Sequence, residues 1–370
     1  MNQLNHESTI TAYGWSRHWE DSFAATIASL SSNKELVPGR IIAQYSHVYR
    51  VISSDGDKIA KVSGKFEYDA EARGDFPAVG DWVLIELLKG DPNVIIHAVL
   101  PRHSAMTRKQ AGSTIEEQII GANIDKIFLA TALNQDYNAR KLERFLIAAW
   151  ESGASPVVLL TKADLCDDTE AILQEVQSIA LGVPVHCISV QDRLGLEQLD
   201  DYLTPGTTIA VTGSSGVGKS TLLNWLAGHN VQEVQDIRNQ DSRGRHTTTH
   251  RELFLLPSGA LLMDTPGMRE LQLWDTVEGW QHTFADIEQL AEQCRFRDCR
   301  HETEVDCAVQ TALLDGSLEP LRLANYRKTE KELAHLARKE RNVNRKRKKE
   351  AVRSPGSKPK HRKEFQGEID

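Results

Sequence analysis

The residues best suited to chemistry form a glycine-rich loop at 213–221, with the sequence GSSGVGKST and the spacing G-x-x-x-x-G-K-[ST]. A strand-like apolar run precedes the loop at 209–212, and a helix-like run follows it at 220–227. In that context backbone N–H groups face a phosphate, Lys219 reaches the β- and γ-phosphates, and Ser220 ligates Mg²⁺. A Gly/Ser-rich surface turn is the less favoured alternative, because the flanking strand and helix are both indicated. The predicted nucleotide-binding residues are Gly213, Ser214, Ser215, Gly216, Val217, Gly218, Lys219, Ser220 and Thr221.

A second motif, TKAD at 161–164, directly follows the apolar run 157–160. A carboxylate at the end of a strand can accept hydrogen bonds from N1–H and the 2-amino group of guanine, and adenine offers neither donor in that place. Many GTPases have Asn rather than Thr at the first position, so we expect one base contact to be weaker or rearranged. A strand-to-helix turn with Asp164 as a helix cap is the alternative, but the phosphate loop in the same chain favours guanine binding. The predicted base-contacting residues are Thr161, Lys162, Ala163 and Asp164, with Ser189 in a second base loop.

Two segments after the phosphate loop are predicted to act as switches that respond to the γ-phosphate. The first has the sequence GRHTTTH at 244–250, and the second is DTPG at 264–267, at the end of a strand-like run. Asp264 is placed to hold Mg²⁺ through a water, and the N–H of Gly267 to contact the γ-phosphate. One threonine of the first segment should supply the other Mg²⁺ ligand, and the sequence leaves the choice open among Thr247, Thr248 and Thr249.

The residue after the second switch motif indicates how hydrolysis is controlled. Many GTPases have a glutamine there that orients the attacking water, but this chain has Met268, whose thioether cannot do so. We therefore expect the isolated enzyme to be slow. His246 and His250 are the nearest polar candidates for the catalytic role, and His250 is favoured because it lies at the return to a strand. A plain surface histidine is the alternative for both.

Alternating strand-like and helix-like runs surround these motifs and predict an α/β domain with a mostly parallel sheet and helices on both faces. The base motif precedes the phosphate loop and both switches, whereas in an ordinary GTPase it follows them. The order therefore indicates a circularly permuted domain, in which the same loops still meet at one sheet edge. The predicted strands lie at 124–133, 156–161, 184–189, 251–256 and 259–263, and the predicted helices at 139–152, 170–181 and 196–203.

Five short β-rich runs near the N-terminus predict a small barrel. A five-stranded oligonucleotide-binding barrel is the leading interpretation, and an SH3-like barrel is the alternative. Residues 1–36 indicate one short helix, and residues 102–109 a basic, turn-like link that ends the barrel. The five runs are 40–45, 48–53, 58–62, 82–88 and 94–100.

Four potential metal ligands fall within a short polar segment near the C-terminus: Cys294, Cys299, His301 and Cys307. Three thiolates and one imidazole can complete a tetrahedral structural Zn²⁺ site. The chain has 5 cysteines, and this odd number suits reduced thiols and a metal better than disulfides. Buried thiols beside an unrelated histidine are the alternative. A helix is predicted from 313 to 336, continued by a cationic run to 349.

Charge is distributed unevenly along the chain. Residues 321–363 hold 17 Lys and Arg against 4 Glu, a net +13, so the rest carries −21 of a total charge of −8. The basic segment suits the phosphates of a nucleic acid, although a solvated helix face followed by a disordered end would have the same composition. No apolar run approaches the roughly 20 residues that span a bilayer, and no signal-peptide pattern is present, so we expect a cytoplasmic protein.

Taken together, these motifs resemble the ribosome-small-subunit-dependent GTPase A family (RsgA/YjeQ), from about residue 37 to residue 349. The resemblance rests on the barrel, the TKAD, GSSGVGKST, GRHTTTH and DTPG motifs in permuted order, and the C-x4-C-x-H-x5-C segment. It implies a late-acting assembly factor that binds the small ribosomal subunit, contacts its RNA through the barrel and zinc domain, and hydrolyses GTP when docked. The cofactors implied are one structural Zn²⁺ and a Mg²⁺ with GTP.

The predicted organisation is multidomain, and we expect a monomer. An RNA-binding module with a largely regulatory nucleotide site is the main functional alternative, and an ATP-using enzyme is disfavoured by Asp164. The predicted domains are an N-terminal extension (1–36), the barrel (37–108), the permuted GTPase domain (109–285), a helical zinc-binding domain (286–350) and a basic tail (351–370), which is predicted to be disordered.

Overall fold

The computed structural model describes residues 9–30, 34–45, 48–88, 90–109, 117–133, 137–228, 251–264 and 278–353. Among these residues the chain forms two compact units, of which the first ends at Glu292 and the second begins at Gln293. Within the described helices, none combines the length and the apolar character needed to cross a membrane.

The first unit opens with a closed five-stranded barrel, as the sequence predicts. Its strands follow the order β1-β2-β3-β5-β4, and β1 also pairs with β4 to close the barrel. The pairing of β3 with β5 is parallel, and a short helix, α2 (Gly64–Asp69), lies between β3 and β4. This order and helix position favour the oligonucleotide-binding barrel over the SH3-like alternative. The strands are β1 Leu36–Tyr45, β2 Val48–Ser53, β3 Gly56–Val62, β4 Trp82–Leu87 and β5 Asn93–Val99.

A helix from the N-terminal segment, α1 (Arg17–Ser29), covers one outer face of the barrel. Successive residues of β4 point to opposite sides, so Val83 and Ile85 fill the barrel interior while Trp82 and Leu84 lie outside. Trp19 of α1 packs in the same apolar cluster as these two outer residues. The N-terminal segment therefore shields apolar barrel surface from water.

The prediction of a turn-like link at 102–109 is wrong for the second half of that segment, because Ala105–Lys109 forms a strand, β6. It pairs in antiparallel fashion with β7 (Glu117–Ala122) as a separate two-stranded sheet. Met106 and Ile120 are buried in the main apolar core of the first unit. Burial of these two side chains stabilises the hairpin. The basic residues around them hide this apolar contribution from a reading of the sequence.

The predicted α/β domain is confirmed. Its strands are ordered β10-β9-β8-β11-β13-β12, and all are parallel to their neighbours except β12. Alternate residues of β8 enter two different apolar clusters, Ile127 and Leu129 on one side and Phe128 and Ala130 on the other, so helices cover both faces. The strands are β8 Lys126–Ala132, β9 Ser155–Thr161, β10 Val185–Ile188, β11 Thr208–Gly213, β12 Arg251–Leu255 and β13 Leu261–Asp264. The helices are α3 Ala139–Glu151, α4 Thr169–Ile179, a 3₁₀ helix Leu196–Tyr202, α5 Lys219–Ala227, α6 Glu278–Thr283 and α7 Ala285–Ala291.

The barrel and the α/β domain share one continuous sheet, which the sequence does not predict. Strand β1 pairs with β12, with Ala43 opposite Glu252 and Gln44 opposite Arg251. The two domains are thereby connected by backbone hydrogen bonds into an eleven-stranded sheet.

The second unit contains two helices where the sequence predicts one helix from 313 onward. Helix α8 (Ala308–Leu314) ends before Gly316, whose φ of +79° is left-handed, and α9 (Pro320–Arg353) begins at a proline. Proline suits the first turn of a helix, and a left-handed glycine ends one. Leu318 between them is buried, so the break is part of the packing.

Candidate nucleotide site and metal centre

Four strands end at one edge of the α/β domain, and a predicted motif lies at each end. Strand β9 ends at Thr161, β10 at Ile188, β11 at Gly213 and β13 at Asp264. The register places Ile188 directly beside Thr161. Because ligands of open α/β sheets bind at the carboxyl ends of the strands, the base motif, the phosphate loop and the Asp264 switch converge where a nucleotide would bind.

The phosphate loop has the backbone geometry that its glycines predict. A Cβ atom on Gly213 would lie 2.2 Å from the carbonyl oxygen of Ala130, so no side chain fits there. Gly218 has a φ of +92° immediately before α5. Lys219 is the first residue of that helix, and its Nζ donates to the carbonyl of Gly213 at 2.8 Å and to that of Ser214. The ammonium group therefore lies at the mouth of the loop, beside the first N–H groups of a helix.

Thr161 connects the base motif to the phosphate loop. Its side chain is buried, and its hydroxyl donates a hydrogen bond of 2.6 Å to the carbonyl of Val217. The two residues are 56 positions apart, so this bond fixes the position of one loop relative to the other. At the motif position where many GTPases have Asn, this chain thus has a hydroxyl that braces the phosphate loop.

The base motif continues through a sharp turn. Lys162 has a left-handed φ of 58°, and Asp164 lies exposed in the 3₁₀ turn Ala163–Leu165. The nearby helix α4 is capped by Asp168, whose carboxylate accepts from the N–H of Ala171 at 3.2 Å. Asp164 therefore does not cap α4, and its carboxylate lies at the sheet edge.

The second base loop is held by its own backbone. Ser189 is buried, and its N–H donates to the carbonyl of Leu194 at 3.0 Å, while the N–H of Leu194 donates back at 2.9 Å. The Ser189 hydroxyl also accepts from the N–H of Asp192 at 3.2 Å. This loop follows β10, next to β9, so it lies on the same side as the base motif.

Several predicted site residues lie outside the described residues. Asp264 is half-buried at the end of β13, and Ser220 and Thr221 are exposed in the first turn of α5. The other predicted residues belong to the segment before β12 or the segment after β13, and neither segment is described. The predicted residues outside are His246, Thr247, Thr248, Thr249, His250 and Gly267, together with Met268.

The four predicted metal ligands of the second unit come together. Their ligand atoms all lie within 4.8 Å of one another. The Sγ atoms of Cys294 and Cys307 are 3.8 Å apart, and they lie 3.6 Å and 3.5 Å from Nδ1 of His301. Sulfur atoms at this separation are not bonded to each other, and Cys299 completes the group as a free thiol. The cluster is able to hold a metal ion.

Helix α8 and two side chains support the ligand cluster. Burial raises the pKa of the Cys294 thiol, but hydrogen bonds from the N–H groups of Val309 and Ala308 outweigh this effect, so its pKa is lowered. A helix N-terminus thus favours a thiolate. The carbonyl of His301 accepts hydrogen bonds from the side chains of Gln310 and Arg327, which fix the ligand loop against α8 and α9.

Sequence reasoning missed these two supporting side chains. Gln310 stands three residues after Cys307 in the first turn of α8, a spacing that could have indicated it. Arg327 lies far along the chain in α9, among many basic residues, and nothing in the sequence singles it out.

Fold and site together define a phosphate-loop GTPase with a permuted chain order. The family model described as RsgA GTPase matches residues 99–274, and one described as 50S ribosome-binding GTPase matches residues 208–346. The chain is 45% identical over 311 residues to "Small ribosomal subunit biogenesis GTPase RsgA 2" of Lactiplantibacillus plantarum, covering 84% of this chain and 87% of that protein.

Two solved structures show the same fold. The crystal structure of YjeQ from Thermotoga maritima matches with a TM-score of 0.62 and 26% identity over 81% of this chain and 99% of that one. The structure of YloQ, described as a circularly permuted GTPase, matches with a TM-score of 0.60 and 26% identity over 84% and 98%. The chain belongs to the RsgA GTPase family, and it is a GTP hydrolase whose nucleotide is associated with Mg²⁺.

Proposed function

We propose that this GTPase acts in late maturation of the small ribosomal subunit, binds ribosomal RNA, and hydrolyses GTP to GDP and phosphate when docked, with hydrolysis coupled to its release. The observation that carries the GTP-dependent part of the proposal is the Thr161–Val217 hydrogen bond, which joins a guanine-type base motif to a phosphate loop at one sheet edge. Relatives named as small ribosomal subunit biogenesis GTPases support the partner. The protein works as a cytoplasmic monomer. Turnover of GTP that is equal with and without purified small subunits would contradict the proposal.

The proposed nucleotide contacts are supported by the positions of the described motifs. Residues 213–221 surround the phosphates, with Lys219 at the β- and γ-phosphates and Ser220 on Mg²⁺. Asp264 holds the same Mg²⁺ through a water, and a threonine of 247–249 supplies the remaining protein ligand. Residues 161–164 and Ser189 contact the guanine.

Asp164→Asn is expected to reduce the preference for GTP over ATP by about 10- to 100-fold, because the buried N1–H and 2-amino donors of guanine lose their carboxylate partner, at about 1–3 kcal/mol. Competition of GTP, ATP and xanthosine triphosphate for bound fluorescent GDP measures the change. Xanthosine triphosphate should gain affinity, since an amide can donate to its C2 carbonyl.

The matched control is Asp167→Asn, which removes an exposed carboxylate three residues further along. It should leave discrimination unchanged. Equal affinity of the unmutated protein for GTP and ATP would refute the guanine assignment.

A histidine of the first switch is proposed to orient the attacking water, with His250 favoured over His246. In single-turnover hydrolysis on small subunits, His250→Ala should lower the rate by about 10²-fold, the contribution typical of a positioned general base. If both His250→Ala and His246→Ala bind subunits and keep the unmutated rate, the group lies elsewhere, such as on the ribosome.

The basic charge of the C-terminal half of α9 supports RNA as the partner. Arg338, Arg341 and Arg345 are exposed at helical spacing, and the sequence around them is strongly basic. Such a surface is attracted to a phosphate backbone, and its binding should weaken as salt rises.

The metal of the second unit is proposed to be one structural Zn²⁺. Bonds of about 2.3 Å to sulfur and about 2.0–2.1 Å to nitrogen give a tetrahedron with S···S edges of about 3.8 Å and S···N edges of about 3.6 Å. The distances of 3.8, 3.6 and 3.5 Å among Cys294, Cys307 and His301 fit these edges. With Cys299 all four positions are filled by protein, as in a closed structural site.

A further inference from the structure

One row of directly opposed residues crosses from the barrel to the Asp264 switch. Arg50 of β2 lies opposite Ala43 of β1, Ala43 lies opposite Glu252 of β12, and Glu252 lies opposite Asp264 of β13. Side chains of directly opposed residues project from the same face of a sheet and interact with one another. The row therefore places a barrel arginine and the proposed Mg²⁺ carboxylate on one face of the shared sheet.

The barrel and the α/β domain contact each other along this row through an ion pair. Nη1 of Arg50 lies 3.0 Å from Oε1 of Glu252, and the side chains are only 24% and 11% exposed. The methyl group of Ala43 between them leaves room for the long arginine side chain to pass. Nη2 of Arg50 also pairs with Asp57 of β3, so the guanidinium joins the barrel to β12. The contribution of an ion pair to stability depends more on its geometry when the pair is as little exposed as this one than when it lies on the surface.

A buried arginine fixes the barrel to the opposite edge of the α/β domain. Arg40 of β1 donates to the carbonyl of Gly80 at 3.2 Å, and its Nη2 donates to the hydroxyl of Thr208 at 2.8 Å and the carbonyl of Asn123 at 3.3 Å. Thr208 begins β11, and Asn123 precedes β8. The barrel is thus held at the N-terminal ends of β8 and β11 as well as at β12.

The two strands of the α/β domain that the row reaches adjoin the two switch motifs in sequence. Strand β12 begins at Arg251, the residue after GRHTTTH, and β13 ends at Asp264, the first residue of DTPG. A force on the barrel that moves Arg50 would act first on these two strands. It would also change the charge balance beside Asp264, because Glu252 is a like-charged neighbour that Arg50 offsets.

We propose that Arg50 and Glu252 are positioning residues that transmit docking of the barrel on RNA to the switches and so regulate GTP hydrolysis. The inference rests on the proposed function, since it requires a small subunit as the docking partner. In this arrangement the ion pair sets the position of β12 relative to the barrel, and the row of opposed residues carries a change in that position to Asp264.

The test compares the stimulation ratio, GTP turnover with purified small subunits divided by turnover without them. Arg50→Met and Glu252→Gln should each lower the ratio by about 5- to 10-fold, the low end of measured couplings between sites. The double variant should lower it no further, because both residues act through one pair. Arg50→Met should keep unstimulated turnover and GDP affinity, and Arg50→Lys should restore part of the ratio.

The matched control is Asp55→Asn, which removes a barrel carboxylate that pairs with Lys58 at 3.7 Å and should leave the ratio unchanged. Thermal unfolding of each variant shows whether it is folded, and co-sedimentation shows whether it binds subunits. Unchanged ratios in folded Arg50→Met and Glu252→Gln would overturn the inference, as would a loss of subunit binding by Arg50→Met that accounts for its lost stimulation. A ratio of one in the unmutated protein would instead refute the proposed function.

Discussion

Cys299→Ser is expected to remove the metal and unfold residues 293–353 while the nucleotide site keeps its affinity. Structural Zn²⁺ contributes about 10–16 kcal/mol in zinc-finger peptides, which is as large as the whole stability of a typical domain, about 5–15 kcal/mol. The second unit has a small apolar core of its own, with Val309, Leu318, Leu323 and Tyr326 among its buried residues. Elemental analysis should find about one Zn²⁺ per chain before the substitution, and hydrogen exchange should show lost protection in α8 after it.

Cys166→Ser is the matched control, because Cys166 is a free thiol in the first unit and outside the ligand cluster. It should leave metal content and exchange protection unchanged. A Cys299→Ser protein that keeps a full complement of zinc, or that loses zinc and stays protected in α8, would show that the metal does not hold this unit together.

Lys219→Ala is expected to lower GTP turnover by at least about 100-fold, comparable to removing one preorganised donor from a site of developing negative charge. The ammonium lies against the carbonyls of Gly213 and Ser214 at the mouth of the loop, so its loss removes a charge without opening the core. Thermal unfolding without nucleotide should therefore be unchanged. Single-turnover hydrolysis at saturating and subsaturating GTP separates the loss of binding from the loss of rate.

Lys126→Ala serves as the control, since Lys126 begins β8 at the opposite edge of the same sheet. It should retain both affinity and rate. Turnover by Lys219→Ala within a few-fold of the unmutated protein would contradict the placement of the phosphates at this loop.

Local patterns were enough to predict the elements that carry the site. The β-rich runs of the barrel are bounded by turn residues such as Asp55-Gly56, and the strands of the α/β domain are continuous apolar runs such as 157–160. Observed bounds agree with these runs to within a few residues. The phosphate loop needs left-handed glycines at fixed spacing, so its backbone was also predictable.

Contacts between distant segments could not be predicted from such patterns. The pairing of β1 with β12 uses backbone hydrogen bonds, which place no special demand on side-chain type. The Thr161–Val217 bond depends on how two loops approach each other in space, and a threonine at that position is ordinary in sequence. In the second unit the apolar residues continue across Gly316, so the periodicity concealed the end of α8.

Hydrolysis of GTP by the unmutated protein, measured in a single turnover with and without purified small ribosomal subunits, tests the proposed function most directly. Without subunits we expect slow hydrolysis, because Met268 stands where a water-orienting glutamine is common. Saturating small subunits should raise the rate by about 10-fold or more, a coupling within the usual range between sites, and large subunits should not. Equal rates with and without small subunits, under conditions where co-sedimentation shows that the protein is bound, would contradict the proposal.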